Sequence, residues 1–178
     1  VYLKSVVEAA LHNPNMIVHT VGAVMSIPRI EATNGDYCMY HEVFTPSVWN
    51  ILEALDGEKM QILSALGYEA LPYVEACKFR NSLDDGRDAK AIFFDYAAMP
   101  SRAKGPSSVR SRYITEDVSQ GLVMLESLGH SLDIPTPVAS ALIELASAAL
   151  GFGLRAGGRS LEALGRENIR KILADAEG

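Results

Sequence analysis

The run His12-Asn-Pro-Asn-Met-Ile-Val-His-Thr-Val-Gly-Ala-Val-Met-Ser-Ile-Pro-Arg-Ile-Glu31 decides how the rest of the chain is read. Asn13-Pro14 opens a helix, because asparagine can accept from the first free amides and proline fits the first turn. Met16, Ile17, Val18, Val21, Val24 and Met25 make that helix mostly apolar, so it belongs in a core. His19 stands inside this run. A buried imidazole either satisfies itself on a backbone carbonyl or stands at a cavity where its proton is used. Both readings are open at this point.

Working outward, Leu3, Val6, Val7, Ala10 and Leu11 fall at helical spacing with Lys4, Ser5 and Glu8 opposite, which predicts a helix over 1–11 with no capping residue before it. Residue 1 is valine, as in a domain cut from something longer. On the other side, Asn34-Gly35 marks a turn, and Tyr37 to Phe44 alternates poorly, reading as irregular or briefly extended. Thr45-Pro46 starts a long helix whose stripe is Val48, Ile51, Leu52, Leu55, Ile62, Leu63 and Leu66, ended by Gly67, with a kink or short break expected near Asp56-Gly57. Tyr73 to Leu83 reads as a short helix, Asn81 to Lys90 as a surface connection, and Ala91 to Met99 as strand or buried helix.

Pro100 to Ser111 has loop composition. Thr115 then caps a helix that runs through Val118, Leu122, Val123, Leu125 and Leu128 to Gly129. Thr136-Pro137 begins another over Val138 to Leu150, rich in alanine and suited to close crossings. Gly151 to Gly158 is glycine-rich but follows no strand and lacks dinucleotide or Walker spacing. Two short helices, 160–165 and 167–176, close the chain. The sum is an all-α, bundle-like domain of seven or eight helices over residues 1–178, with little strand.

Composition narrows the function. The 178 residues carry a net charge of −6 and a pI near 5.2, the wrong sign for a phosphate-backbone partner. No apolar run approaches the roughly 20 residues of a membrane span, and no signal peptide is visible. Cys38 and Cys77 have no paired spacing, so a reducing, cytoplasmic setting is expected. Cys38 and His41 offer two metal-ligand types, but no second pair follows to complete a site.

Glu116 and Asp117 sit where a helix begins, as acids do near the positive end of the macrodipole, and Arg112 alone reads as a surface cation. Together with His19 they allow more: a carboxylate can orient an imidazole while a guanidinium fork holds a substrate carboxylate.

A set of motifs, in order, resembles the C-terminal helical domain of the octopine/nopaline (opine) dehydrogenase family. These are Asn13-Pro14 with His19, Arg29-Ile30-Glu31, Thr45-Pro46-Ser47-Val48, Glu53-Ala54-Leu55-Asp56, Ser111-Arg112-Tyr113-Ile114-Thr115-Glu116-Asp117, Gly121-Leu122-Val123, Ile134-Pro135-Thr136-Pro137 and Gly158-Arg159-Ser160-Leu161 through Leu164-Gly165. The resemblance implies the substrate domain of a two-domain oxidoreductase. Its N-terminal Rossmann domain, which binds NAD or NADP, is absent from this chain: no Gly-x-Gly-x-x-Gly motif appears here.

The implied reaction is reductive condensation of an amino acid with a 2-oxo acid, or its reverse. His19 would be the catalytic acid/base and Asp117 its partner, with Arg112 and Asn13 binding substrate. A homodimer is compatible with this. Two alternatives stand beside it: the helical domain of a related hydroxy-acid dehydrogenase, and a non-catalytic helical dimerisation or interaction module built on the small-residue face of Val138 to Leu150.

Overall fold

The computed structural model describes residues 3–81, 86–99, 104–165 and 167–168, and every regular element among them is helical. The chain enters through α1 (Val6–Leu11) and α2 (Pro14–Met25), and Ser26 then breaks the quoted run into a second helix, α3 (Ile27–Thr33). Asn13 caps α2 as expected, its Oδ1 accepting from the Asn15 amide at 3.1 Å. The first helix departs from its expected form. It is capped, by Ser5, whose hydroxyl accepts from the Glu8 amide. One polar residue also turns inward: Glu8 is buried, its carboxylate taking the Lys4 amide at 2.5 Å, and Leu3 and Val6 are exposed, while Val7, Ala10 and Leu11 pack on the core as expected.

The stretch after Asn34-Gly35 is not extended. It forms a single helical turn, α4 (Met39–Glu42), closed by the Glu42 carboxylate, which accepts from the Cys38 amide at 2.8 Å and from Arg29 Nε at 3.0 Å.

The long helix α5 (Pro46–Ala65) runs through Asp56-Gly57 without the expected break. Its neighbours there explain why. Glu58 reaches across to the start of a later helix, accepting from the Val138 and Ala139 amides at 2.6 and 3.0 Å, and Asp56 Oδ2 accepts from the Tyr73 amide at 2.7 Å. These buried carboxylates tie both sides of Gly57 into the tertiary structure, which offsets the glycine's helix cost of about 1 kcal/mol.

Beyond it lie α6 (Tyr73–Asn81) and α7 (Ala89–Ala97). The segment read as strand or buried helix is therefore helix, capped by Asp88 Oδ1 on the Ala91 amide at 2.8 Å. It seats Phe93 among Trp49, Phe44 and Tyr73, with ring centroids 5.0 Å from Trp49 and 5.4 Å from Phe44.

After the described part of the loop, 104–111, the chain does not make the single Thr115-capped helix expected. It forms one turn, α8 (Arg112–Thr115), then a π-helical segment (Asp117–Leu122), then α9 (Val123–Ser131). Thr115 lies inside the turn and its hydroxyl donates to the Ser111 carbonyl at 3.1 Å. α10 (Pro137–Leu150) and the single turn α11 (Leu161–Leu164) complete the described elements. The helix expected over 167–176 lies outside the described residues beyond Asn168. α2 packs against α5, α6, α8, the π segment and α10, which makes it the axis of the domain. No described helix is long and apolar enough to cross a membrane.

The glycine-rich run after α10 is a helix stop and a strap. Gly151 ends α10 at φ +76°, Leu154 is buried, and Arg155 grips Glu126 of α9 with two bonds, Nε to Oε2 at 2.6 Å and Nη2 to Oε1 at 2.7 Å. The guanidinium holds the Glu126 carboxyl below its ordinary value near 4.5, against the opposing effect of its burial. A carboxyl lowered by folding adds stability in full above its unfolded value and loses it as pH falls through the folded one. Wild type should therefore lose melting temperature relative to Glu126→Gln as pH drops below about 4.5. Parallel thermal melts of the two proteins across that range are the check.

Candidate active site

His19 sits at the middle of α2, and three other elements meet its ring. Its Nδ1 lies 2.9 Å from Asp117 Oδ2, its Nε2 lies 3.2 Å from the Tyr40 hydroxyl of α4, and the Tyr113 ring of α8 stacks on it at 3.9 Å and 5°. His19 is 12% exposed and Asp117 9%. The imidazole is thus satisfied by side chains rather than by the backbone carbonyl that an ordinary core histidine would take. An ionised carboxylate only accepts, so Nδ1 carries the hydrogen and donates it to Asp117. Nε2 is then left with its lone pair, and the Tyr40 hydroxyl donates to it.

The π segment is what brings Asp117 to this place. The Val123 amide reaches back five residues to the Val118 carbonyl, so the helix widens by one residue here. Gly121 allows this wide turn to lie close to α2: a Cβ there would come within 2.9 Å of Met16 Cγ. The Ser119 carbonyl accepts from outside the helix, from the Arg159 amide at 2.9 Å. Gly158 makes that approach possible, since a Cβ on it would meet the Ser119 and Leu154 carbonyls at 2.8 and 2.9 Å.

A cleft of about 1220 Å³ opens beside this group, with Asn13, Arg112, Glu116, Asp117, Gln120 and Arg159 on its walls. Three of the four residues singled out from sequence therefore share one cleft. His19 does not line it and stands behind Asp117 as the inner member of the pair. Arg112 is exposed, its Nε 3.6 Å from Glu116 Oε2, a loose contact that leaves the guanidinium available. Asn13 is at the cleft edge, where its side-chain oxygen caps α2. Sequence reasoning missed Tyr40, Tyr113 and Arg159. Tyr113 and Arg159 lay inside quoted motifs, where a tyrosine next to the arginine and an arginine next to a glycine carried no signal of direction. Tyr40 lay in the stretch read as irregular.

No strand occurs among the described residues, so the strand, glycine turn and helix that cradle a dinucleotide pyrophosphate do not form among them. The described residues also contain no group of three metal-ligating side chains. What they do form is a cleft with cations at its wall beside Asp117, the outer member of a histidine–carboxylate pair, suited to small carboxylated molecules that exchange protons.

Residues 2–150 match the family model described as NAD/NADP octopine/nopaline dehydrogenase, alpha-helical domain. The chain is 30% identical over 171 residues to an opine dehydrogenase of Arthrobacter sp. (strain 1C), a match covering 95% of this chain and 46% of that protein. It is 26% identical over 157 residues to protein ocs of Agrobacterium tumefaciens (strain Ach5), covering 87% and 43% of the two chains. Against vitopine synthase of Allorhizobium ampelinum (strain ATCC BAA-846 / DSM 112012 / S4) the identity is 23% over 181 residues, covering 99% and 49%. The chain spans about half the length of the curated relatives it matches.

Proposed function

The chain belongs to the octopine/nopaline dehydrogenase family, as its α-helical domain, and on that premise we propose that it is the substrate-binding, proton-handling half of an NAD(P)-dependent opine dehydrogenase. In this reading an amino acid and a 2-oxo acid condense to an imine with loss of water, and reduction of the C=N bond gives a secondary amine; the reverse runs through the same states. NAD or NADP, held mainly by an N-terminal Rossmann domain of the same polypeptide, supplies or accepts the hydride. The protein acts in the cytoplasm, and a homodimer is compatible with the reading.

The residues of this chain move protons and hold carboxylates. His19 Nε2 faces Tyr40 and not the cleft, so this reading requires Tyr40 to yield and the amino acid to reach in past Asp117; Nε2 then takes a proton from its ammonium form so that the amine can attack. The same nitrogen returns a proton to the hydroxyl that leaves as water. Asp117 keeps the hydrogen on Nδ1 and stabilises the imidazolium between those steps. Arg112 forks a substrate carboxylate, and Asn13 offers hydrogen bonds at the cleft edge. The observation that supports this reading most is the 2.9 Å contact between His19 and an Asp117 that lines the cleft.

The test is NAD(P)H oxidation by the full-length protein with panels of amino acids and 2-oxo acids. Turnover should require both partners. Oxidation of a 2-hydroxy acid with no amine present would instead favour the hydroxy-acid dehydrogenase reading. No turnover of either kind, together with dimerisation in light scattering, would favour an interaction module.

A further inference from the structure

The product of such a condensation has two carboxylates, one on each side of the secondary amine, and Arg112 can fork only one of them. Resting on the functional reading above, we propose that Arg159 is the second carboxylate anchor, so that the cleft selects a dicarboxylated secondary amine over an amine with a single acid arm.

Two observations place this role on Arg159. It is on the wall of the same cleft as Arg112 and Asp117. Its backbone is also fixed: the Arg159 amide donates to the Ser119 carbonyl at 2.9 Å, and Gly158 before it is packed so tightly on that carbonyl and on Val123 that no Cβ fits. The π segment that presents Asp117 and Gln120 to the cleft therefore also positions Arg159.

Charge pairing points the same way. Most described cationic side chains face a carboxylate, Arg29, Lys59, Lys104 and Arg155 among them, and Arg110 lies over the Phe152 ring. Arg159 and Lys4 line the cleft with no carboxylate in ion-pair range among the described residues. Of the two, arginine has the planar fork that matches a carboxylate with two parallel bonds.

The experiment is isothermal titration of the full-length protein with N-(1-carboxyethyl)alanine and with N-ethylalanine, beside steady-state kinetics. In wild type the dicarboxylate should bind tighter than the single acid. In Arg159→Ala that advantage should collapse by about 10- to 100-fold, because one remaining arginine cannot serve two carboxylates whichever arm it takes. KM should rise by a similar factor with kcat within about threefold. Arg159→Lys should recover part of the advantage, and unchanged thermal melts would show that both variants are folded.

An Arg159→Ala protein that keeps the full advantage overturns the anchor, even where turnover supports the functional reading. Arg159-dependent dicarboxylate binding without turnover upholds the anchor while the functional reading fails. A wild type that shows no preference for the dicarboxylate overturns the anchor outright.

Discussion

His19→Ala in the full-length protein is expected to lower kcat by about 10²- to 10⁴-fold, the usual worth of a positioned acid/base, with both KM values within about threefold. His19→Gln keeps more of the side-chain volume against Tyr113 and should lose as much, which separates lost chemistry from a lost packing contact. Asp117→Asn should cost a similar factor for a different reason. A carboxylate can only accept the Nδ1 hydrogen, whereas an amide can turn its NH₂ toward Nδ1 and reverse the tautomer. Nε2 would then carry the hydrogen and could not take a proton. Tyr40→Phe removes one hydroxyl from a ring still held by two other contacts, so its loss should reach only about tenfold. Stopped-flow traces of NAD(P)H consumption under saturating substrates are the measurement. A His19→Ala enzyme with more than a tenth of wild-type kcat would take the imidazole out of the chemistry.

These predictions rest on a site that sequence made legible only in part. The fold class followed from caps and stripes, because Asn13-Pro14, Thr45-Pro46 and Thr136-Pro137 are local signals and helices are local structures. What failed was whatever tertiary contacts decide. Gly57 reads as a break, yet Asp56 and Glu58 on either side are held by amides 17 and 80 residues away. Glu8 reads as solvent-facing, yet it is buried by bonding the Lys4 amide. The π segment has no pattern to find, since one extra residue per turn changes hydrogen-bond partners without changing the apolar stripe. For the same reason Asp117 could be named from its motif while its meeting with His19, 98 residues away, could not be derived.

The second large effect lies in the same packing, at a charge pair with no visible part in the chemistry. Lys59 is 1% exposed, and its Nζ donates to the Leu71 carbonyl at 3.0 Å while lying 2.5 Å from Asp56 Oδ1. That oxygen meets the ammonium as a charge pair rather than through an aligned hydrogen bond, and the other carboxylate oxygen takes the Tyr73 amide. Asp56→Ala strands a buried ammonium and an amide together and should cost about 3–5 kcal/mol, as should Lys59→Met, which strands the carboxylate. Either is a large share of the roughly 5–15 kcal/mol that holds a domain folded.

The double variant Asp56→Leu with Lys59→Met removes both charges and costs only the bonds these side chains give the Tyr73 amide and the Leu71 carbonyl, at about 1–3 kcal/mol each. It should therefore be clearly more stable than the sum of the single losses, and urea unfolding of the four proteins measures the coupling. Additive losses would mean the pair contributes as two independent side chains. Leu71 also lines the cleft, so the bond from Lys59 holds part of the wall against which substrate closes. Lys59→Met and the double variant, both without the Lys59 bond to Leu71, should thus show a raised KM at near-normal kcat per folded molecule, whereas Asp56→Ala should lose activity only in step with the folded fraction.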